Sequence, residues 1–242
     1  MHDKGIRTYV LRQGRITDAQ RRALEGEGRR FILPFDGRKL DQVGAFGRNA
    51  PLVLEIGFGM GLATWQIALG QPDIDYLGVE VHRPGVGRLV SDLVAEGVPN
   101  VRIFNNDAVE ILEKAIPEGS LAGIHLFYPD PWPKKRHHKR RMVRPGLAEL
   151  MASRLMEGGY LYFVTDIEDY ALSALQTLES VPLLVNQHAR FATSRSWRPE
   201  TRFEARASAA GRSRWELYFM RRADDSLPRS LSDLPTRNTK AS

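Results

Sequence analysis

Short apolar runs alternate with amphipathic segments along the middle of the chain. The apolar runs occupy residues 52–56, 76–81, 101–104, 121–127 and 160–164. Runs of this length that stay mostly apolar, rather than alternating with polar residues, are typical of strands buried on both faces of a parallel sheet. The pattern therefore predicts repeated βαβ units.

The segments between these runs space their apolar residues as helices do. The clearest predicted helices cover residues 85–95, 108–115, 145–156 and 170–178, and two further strands are predicted at 183–187 and 215–220. Thr17 and Gln20 form a capping-box pattern, which predicts a short helix that ends near Glu25. The expected fold is α/β, with a doubly wound, mostly parallel, seven-stranded sheet and helices on both faces.

The two ends of the chain lack this pattern. We expect a basic N-terminal arm and short helix at 1–49, a core domain at 50–222, and a disordered tail at 223–242, which mixes polar residues without periodicity. Residues 1–14 are expected to be either disordered or docked on another surface. The polar, arginine-rich connection at 189–213 is long for a compact domain, so it is expected to be functional or poorly ordered.

Composition narrows the classes of protein. The chain has 242 residues, a net charge of +6 and no cysteine. The charge favours an anionic partner, and the missing cysteine excludes disulfides and thiolate metal sites. We expect no membrane span and no signal peptide. We also expect no metal site, because the six histidines show no ligand spacing beyond the adjacent His137 and His138. A cytoplasmic protein is the expectation.

A glycine-rich turn follows the first predicted strand. Gly57, Gly59 and Gly61 stand between strand and helix, where a backbone without Cβ atoms can approach a ligand closely. Many such turns only connect two elements. Glu55 changes this interpretation, because a carboxylate two residues before the first glycine would repel a dinucleotide pyrophosphate. A cationic cofactor such as S-adenosylmethionine suits the loop better.

Each of the five core strands ends in an acid or is soon followed by one. The acids are Glu55, Glu80, Asp107, Asp130 and Asp166. Because the carboxyl ends of parallel strands meet at one edge, we expect these acids to surround one crevice. Glu80 is placed to accept hydrogen bonds from ribose hydroxyls. Asp107 and Asn106 are placed for an adenine edge, and Asp107 is an equally good helix cap.

A proline-framed acid runs directly into a basic segment. Asp130 lies in the sequence YPDPWP, and the eight residues 134–141 that follow are all Lys, Arg or His. The basic segment is too charged to be buried, so we expect a solvated surface that contacts nucleic-acid phosphates. Trp132 is expected either to stack on an extruded base or to pack internally. The predicted contacts within the segment are Lys134, Arg136, His137, His138, Lys139, Arg140 and Arg141.

Taken together, these motifs resemble the bacterial tRNA (guanine-N7-)-methyltransferase family over residues 7–221. The resembling segments are RQGR at 12–15, LEIGFGMG at 54–61, GVEVH at 78–82, FYPDPWPKKRHHKRR at 127–141, VTD at 164–166 and TRFE at 201–204. The glycine loop is common to a whole superfamily, whereas the PDPW-basic run and TRFE distinguish this branch. Pro133 departs from the resemblance, since we expect a polar residue there in many relatives.

The resemblance implies a Rossmann-like class I methyltransferase fold and specific site residues. It implies S-adenosylmethionine binding by Glu55, Glu80, Asp107 and Asp130, with Asp130 also catalytic. It implies tRNA as substrate, with the variable-loop guanine at position 46 as target, and a monomer or homodimer. The implied substrate contacts are Lys134, the segment 136–141, Asp166, Thr201, Arg202, Phe203 and Glu204.

Two other functions remain open on the residues themselves. A methyltransferase of the same fold that acts on small molecules or protein would not need the basic segment at 134–141. A noncatalytic RNA-binding module with a decayed cofactor site would not need the intact glycines or the strand-end acids.

Overall fold

Seven strands form a single sheet in the computed structural model, which describes residues 7–9, 16–200, 204 and 213–223. The strands are β1 (Leu52–Ile56), β2 (Asp75–Val79), β3 (Val101–Phe104), β4 (Leu121–Phe127), β5 (Leu155–Thr165), β6 (Leu184–Asn186) and β7 (Trp215–Arg221). The predictions for residues 1–6, 10–15, 201–203, 205–212 and 224–242 therefore lie outside the described residues.

The strand order across the sheet is β3-β2-β1-β4-β5-β7-β6. The pairs from β3 to β5 are parallel, and β7 is antiparallel to both β5 and β6. The chain leaves β1 towards β2 on one side, and β4 lies on the other side. This reversal of strand order creates a crevice at the carboxyl ends of β1 and β4, where ligands bind in open α/β sheets.

Helices cover both faces, as predicted. They are α1 (Asp18–Glu25), α2 (Gln42–Phe46), α3 (Leu62–Gly70), α4 (Arg83–Ala95), α5 (Ala108–Glu110), α6 (Pro145–Arg154) and α7 (Glu168–Glu179). A π-helical turn (Ile111–Ala115) continues α5, and 3₁₀ turns occur at Glu27–Phe31 and Lys135–Arg140. One buried apolar cluster lies under α3 and α4, and a larger one lies under α5, α6 and α7.

The predicted capping box at the start of α1 is confirmed. The backbone N–H of Gln20 donates to the hydroxyl of Thr17 at 3.2 Å, and the backbone N–H of Thr17 donates to Oε1 of Gln20 at 2.9 Å. Nε2 of Gln20 also donates to the carbonyl of Pro84 at 3.1 Å, which ties α1 to the start of α4. Two of the donors left free at a helix start are satisfied in this way.

The segment after α1 covers the open edge of the sheet at β3. Ile32 bridges to Ile103, and the backbone N–H of Leu33 donates to the carbonyl of Ile103 at 2.8 Å. Covering an edge strand removes a row of unpaired backbone groups. Residues 16–49 thus pack against the sheet, and the predicted boundary at residue 49 stays a prediction.

Element types were predicted more accurately than their ends. The helix predicted at 145–156 ends at Arg154, and β5 begins at Leu155, well before the predicted residue 160. The early start of β5 comes from pairing, because Leu155 lies opposite Leu121 of β4. The helix α2 and both 3₁₀ turns were not predicted. No helix among the described residues is long and apolar enough to cross a membrane.

An aromatic layer covers one face of β4, β5 and β7. His125 stacks on Trp197 at 5.3 Å and on Phe127 at 4.9 Å between ring centroids, and Tyr162 meets Trp197 edge to face at 5.7 Å. Trp197 belongs to the long polar connection, so the described part of that connection, 189–200, is ordered against the sheet. It brings Arg198 next to the crevice.

Candidate active site

The loop after β1 turns at three glycines in the left-handed region. The φ angles of Gly57, Gly59 and Gly61 are +73°, +58° and +76°, which side chains with a Cβ rarely adopt. Gly85, in the first turn of α4, packs directly on this loop, because a Cβ there would overlap the carbonyl oxygen of Gly59. The loop is therefore held from behind by α4.

Glu80, directly after β2, braces the same loop. Its Oε2 accepts a hydrogen bond from the backbone N–H of Gly59 at 2.9 Å. Its Oε1 accepts from the backbone N–H groups of Val81 and His82 at 2.8 Å and 2.9 Å. The carboxylate is thus oriented by the protein alone. Its Oε1 already accepts two hydrogen bonds, whereas Oε2 has lone-pair capacity for a further donor, such as a ribose hydroxyl.

A cavity of about 370 Å³ opens above the ends of β1, β2 and β4. Its lining includes five of the predicted site residues, which are Gly57, Gly59, Glu80, Asn106 and Asp130. Thr8 and Tyr9 of the N-terminal segment also line it. These five site residues thus share one crevice at the edge of the sheet where the sequence predicts it.

Glu55 lies in a second, adjoining cavity of about 560 Å³, which also contains Gly57, Gly59 and Gly61. Its side chain is 3% exposed, and among the described residues its Oε2 has no hydrogen-bond partner. Burial raises the pKa of Glu55 to about 7, partly offset by Thr64. An unsatisfied buried carboxylate beside a glycine loop fits a ligand with a positive charge.

Asp107 caps a helix and is not among the residues that line the first cavity. Its Oδ1 accepts a hydrogen bond from the backbone N–H of Val109 at 2.8 Å at the start of α5. Its neighbour Asn106 lines the cavity in its place. Asp166, directly after β5, and Asp107 lie outside the linings of these two cavities, so of the five predicted acids Glu80 and Asp130 share the first cavity and Glu55 lines the adjoining one.

The loop that carries Asp130 is strained on both sides of this residue. Tyr128 and Trp132 have φ angles of +51° and +46°, and they are the two non-glycine residues with positive φ among the described residues. Such conformations cost about 1–3 kcal/mol each and persist where the surrounding structure enforces them. The strain turns the exposed Asp130 towards the cavity.

Trp132 packs internally, which was one of its two predicted roles. Its Nε1 donates to the carbonyl of Thr8 at 3.1 Å, and the guanidinium of Arg140 lies 4.9 Å from its ring centroid. His137 meets the indole edge to face at 5.9 Å. The tryptophan thus joins the N-terminal segment to the basic 3₁₀ turn.

The basic segment has an exposed part and a buried end. Lys134, Arg136 and Lys139 are exposed on or beside the 3₁₀ turn, in agreement with the prediction. The expectation of a fully solvated segment is wrong for Arg141, which is 2% exposed. Its guanidinium donates through Nη2 to the exposed Asp169 at 2.5 Å and through Nε to the carbonyl of Pro131 at 2.9 Å, so these two acceptors offset part of the cost of its burial.

Glu204 is held inside the protein beside the loop of Asp130. The other residues of the TRFE motif, Thr201, Arg202 and Phe203, lie outside the described residues. The Glu204 side chain is 1% exposed, pairs with Arg198 at 2.5 Å, and accepts from the hydroxyl of Tyr128 at 2.6 Å. This ion pair and hydrogen bond connect the TRFE motif to the strained loop.

Three residues at the site escaped the sequence interpretation. Arg198 also lies 3.6 Å from Glu216, but in the sequence it is one of several arginines in a polar connection. Tyr128 lines both cavities, and Gly85 supports the glycine loop. The periodicity offered no signal for Arg198, whereas Tyr128 lay within the quoted YPDPWP motif.

The seven-stranded sheet and the crevice at its edge have the architecture of solved α/β methyltransferases. Solved structures with this architecture include the 16S rRNA methyltransferase KamB, at TM-score 0.56 and 12% identity over 77% of this chain and 95% of that one. A 16S rRNA (adenine(1408)-N(1))-methyltransferase from Catenulisporales acidiphilia with cosubstrate SAM gives TM-score 0.54 at 14% identity, over 81% of this chain and 96% of that one. At these identities the likeness shows the fold alone.

Sequence comparison gives the family. Residues 49–217 match the family model described as "Putative methyltransferase". The tRNA (guanine-N(7)-)-methyltransferase of Burkholderia cenocepacia is 47% identical, over 93% of this chain and 88% of its own length. That of Thiobacillus denitrificans is 49% identical, over 90% and 96%. The chain therefore belongs to the tRNA (guanine-N(7)-)-methyltransferase family, whose members use S-adenosylmethionine. Among the described residues, no cluster of His, Asp or Glu could hold a metal ion.

Proposed function

We propose that this chain transfers the methyl group of S-adenosylmethionine to N7 of a guanine in tRNA, forming 7-methylguanosine. The observation that carries this proposal is the junction at Asp130. Its carboxylate lines the cavity beside Glu80, and four residues later the exposed Lys134 begins the basic segment. A cofactor site and a phosphate-binding surface thus lie next to each other.

Different residues of the two cavities would bind different parts of the cofactor. Glu80 would accept hydrogen bonds from the ribose hydroxyls, and Asn106 and Asp107 would meet the adenine edge. Glu55 and Asp130 would hold the positively charged methionine end, because a carboxylate stabilises an ammonium or sulfonium group. Gly57, Gly59 and Gly61 allow the backbone to approach the cofactor closely.

The substrate side begins at Lys134. In this proposal the exposed cations hold tRNA phosphates, and the TRFE motif and Asp166 contact the target nucleotide. Arg141 and Glu204 act from inside the protein, where they hold the loops that make the direct contacts. The proposed set is Lys134, Arg136, His137, His138, Lys139, Arg140, Arg141, Asp166, Thr201, Arg202, Phe203 and Glu204.

Guanine N7 needs no general base, because its lone pair lies in the ring plane and carries no proton. The cofactor supplies the methyl group as an electrophile. The protein contributes by aligning N7 with the methyl carbon and the sulfur, which gives the main rate gain. Asp130 orients the reactants and stabilises positive charge as it moves to the purine ring.

The target nucleotide, the cellular location and the oligomeric state belong to this proposal as well. We propose the variable-loop guanine at position 46 as the target and the cytoplasm as the location. The enzyme acts as a monomer or a homodimer.

Methylation of unmodified tRNA tests the function directly. Purified protein with labelled S-adenosylmethionine should produce 7-methylguanosine in nucleoside digests, and a transcript that has adenine at position 46 should stay unmodified. Asp130→Asn should lower kcat about 10²-fold with tRNA saturating, in the range found for other charge-stabilising groups. Full kcat in this variant would contradict the role of Asp130, and the absence of 7-methylguanosine with wild type would contradict the function.

A further inference from the structure

A second basic surface lies on the other side of the cofactor cavity from residues 134–141. It is a cleft of about 830 Å³ between α1, the first 3₁₀ turn and the start of α4. Three exposed arginines from these three elements line it, which are Arg21, Arg29 and Arg83. We call it the arginine cleft.

The charge of the arginine cleft is not neutralised by the part of the chain that the structure describes. Within those ranges, none of its three arginines forms an ion pair or a side-chain hydrogen bond. Exposed arginines elsewhere do have acidic partners, for example Arg88 with Asp92 at 2.8 Å. Among the described lining residues, Glu25 is the one acid. The cleft therefore presents excess positive charge to solvent.

The cleft is built on rigid elements. α1 begins at the capping box and is tied to α4 by the hydrogen bond from Gln20 to Pro84. Gly28 has no room for a side chain, since a Cβ there would overlap Val90 of α4. The positions of Arg21 and Arg29 relative to α4 are thus fixed before a ligand arrives, which lowers the entropic cost of binding.

The cleft adjoins the cofactor cavity at two chain junctions. His82 lines the cavity and the next residue, Arg83, lines the cleft, while Asn105 lines the cleft and the next residue, Asn106, lines the cavity. Nδ2 of Asn105 also donates to the carbonyl of Glu80 at 2.6 Å. A ligand in the cleft would therefore lie next to the bound cofactor.

The strand order places the two basic surfaces on either side of the cavity. Arg83 follows β2 and Lys134 follows β4, with β1 between them. Neighbouring strands are about 4.8 Å apart, so the ends of β2 and β4, from which these two chain segments leave the sheet, are about 10 Å apart. Long side chains that diverge from these points can reach successive parts of one nucleic-acid backbone.

We propose that the arginine cleft binds the phosphate backbone of tRNA on the side of the target guanine opposite to residues 134–141. This inference rests on the proposed function. Phosphate contacts fix the register of a nucleic acid without reading its bases. Two such contacts on either side of the cofactor hold the target nucleotide over the methyl group, whereas one contact would let the RNA pivot about it.

Alanine variants of the three arginines test this inference on the full chain. Arg21→Ala, Arg29→Ala, Arg83→Ala and the triple variant should raise KM for tRNA, by tenfold or more in the triple variant, with little change in kcat at saturating tRNA. The slope of log affinity against log salt should become shallower by about 0.7–0.9 for each phosphate that the variant no longer neutralises. S-adenosylmethionine affinity should stay at the wild-type value, which also shows that each variant is folded.

The helix α1 itself offers a matched control. Arg22 is exposed on the same helix but does not line the cleft, so Arg22→Ala should keep the wild-type KM and salt slope. Glu25→Gln removes the acid of the described lining and should lower KM. If the triple variant fails to fold, the three single variants carry the same test.

Failure of this inference differs from failure of the proposed function. If wild type forms 7-methylguanosine while the arginine variants keep its KM and salt slope, the cleft does not bind tRNA, and an acidic protein would be the alternative occupant. If wild type forms no 7-methylguanosine, the proposed function itself is wrong. An equal loss in Arg22→Ala would also overturn the inference, because it would show a general charge effect.

Discussion

Burial of the Glu55 carboxylate costs folding free energy, but it prepares this residue to bind a cationic ligand. Its carboxylate is buried and lacks a partner for Oε2 among the described residues, and burial raises its pKa to about 7. The folded state thus holds a proton that the unfolded chain releases at lower pH. A cationic ligand reverses this preference, because it stabilises the ionised carboxylate.

This leads to a prediction about pH for Glu55→Gln. In wild type the raised pKa makes the free energy of unfolding fall as pH rises from about 4.5 to 7, by about 3 kcal/mol in total from this group. Binding of S-adenosylmethionine should strengthen as pH rises from about 5.5 to 7, a window below the titration of a typical α-amino group. Glu55→Gln should bind S-adenosylmethionine weakly and should lack both pH dependences. Urea unfolding measures the first, and calorimetry measures the affinity for the cofactor.

Glu179→Gln is the matched control, since Glu179 is exposed at the end of α7. It should retain both wild-type pH dependences. If Glu55→Gln kept the wild-type dependence of cofactor affinity, another group would be responsible for it.

At the level of elements, the glycine loop depends on the helix behind it. The start of α4 fits against the loop only because position 85 has no side chain. Glu80 fixes the front of the loop through the backbone N–H of Gly59. The loop geometry is therefore a property of β1, β2 and α4 together, not of three glycines alone.

Gly85→Ala tests this dependence. The added methyl group would overlap the carbonyl oxygen of Gly59, so either the loop or α4 must move. We expect S-adenosylmethionine affinity to fall at least tenfold and the free energy of unfolding to fall by about 1–3 kcal/mol, as in overpacked cores. Equilibrium binding and urea unfolding measure the two effects.

Gly70→Ala, at the end of α3, is the control, because a Cβ there meets nothing within 4 Å. It should leave cofactor affinity unchanged and alter stability by no more than about 1 kcal/mol. Wild-type affinity in Gly85→Ala would show that the loop does not rest on α4 in solution.

Across the whole molecule, charge is sorted between the surface and the interior. The chain carries a net charge of +6, but its cations have two different roles. Lys134 is exposed at the crevice, whereas Arg141, at the other end of the same segment, is buried against Asp169 and the ring of Tyr170. One basic run therefore supplies both exposed cations, which we propose contact tRNA, and an internal support.

Paired variants should separate these two roles. Lys134→Ala should weaken tRNA binding and lower its salt slope by about 0.7–0.9, with an unchanged free energy of unfolding. Arg141→Ala should lower the free energy of unfolding by about 2 kcal/mol, because it removes a buried guanidinium and its hydrogen bonds. Filter binding at several salt concentrations and urea unfolding are the measurements. The reverse pattern would contradict the assignment.

The sequence by itself determined the fold class and the location of the crevice. Continuous apolar strands and intervening helical spacing are local signals, and parallel strands must bring their carboxyl ends to one edge. Glu55, Glu80 and Asp130 were therefore predictable, as were the glycines of the loop. The family also followed from short motifs whose residues are close together in the chain.

Only the tertiary structure decided which charges face the solvent. Arg141 and Glu204 look like surface residues in the sequence, yet both are buried: Arg141 donates to Asp169 at the surface, and Glu204 pairs with Arg198 and accepts from Tyr128, which is far away in the chain. The arginine cleft likewise collects residues from α1, a 3₁₀ turn and α4 that are far apart in the chain. Burial and pairing depend on neighbours that only folding brings together, whereas strand and helix signals are carried by adjacent residues.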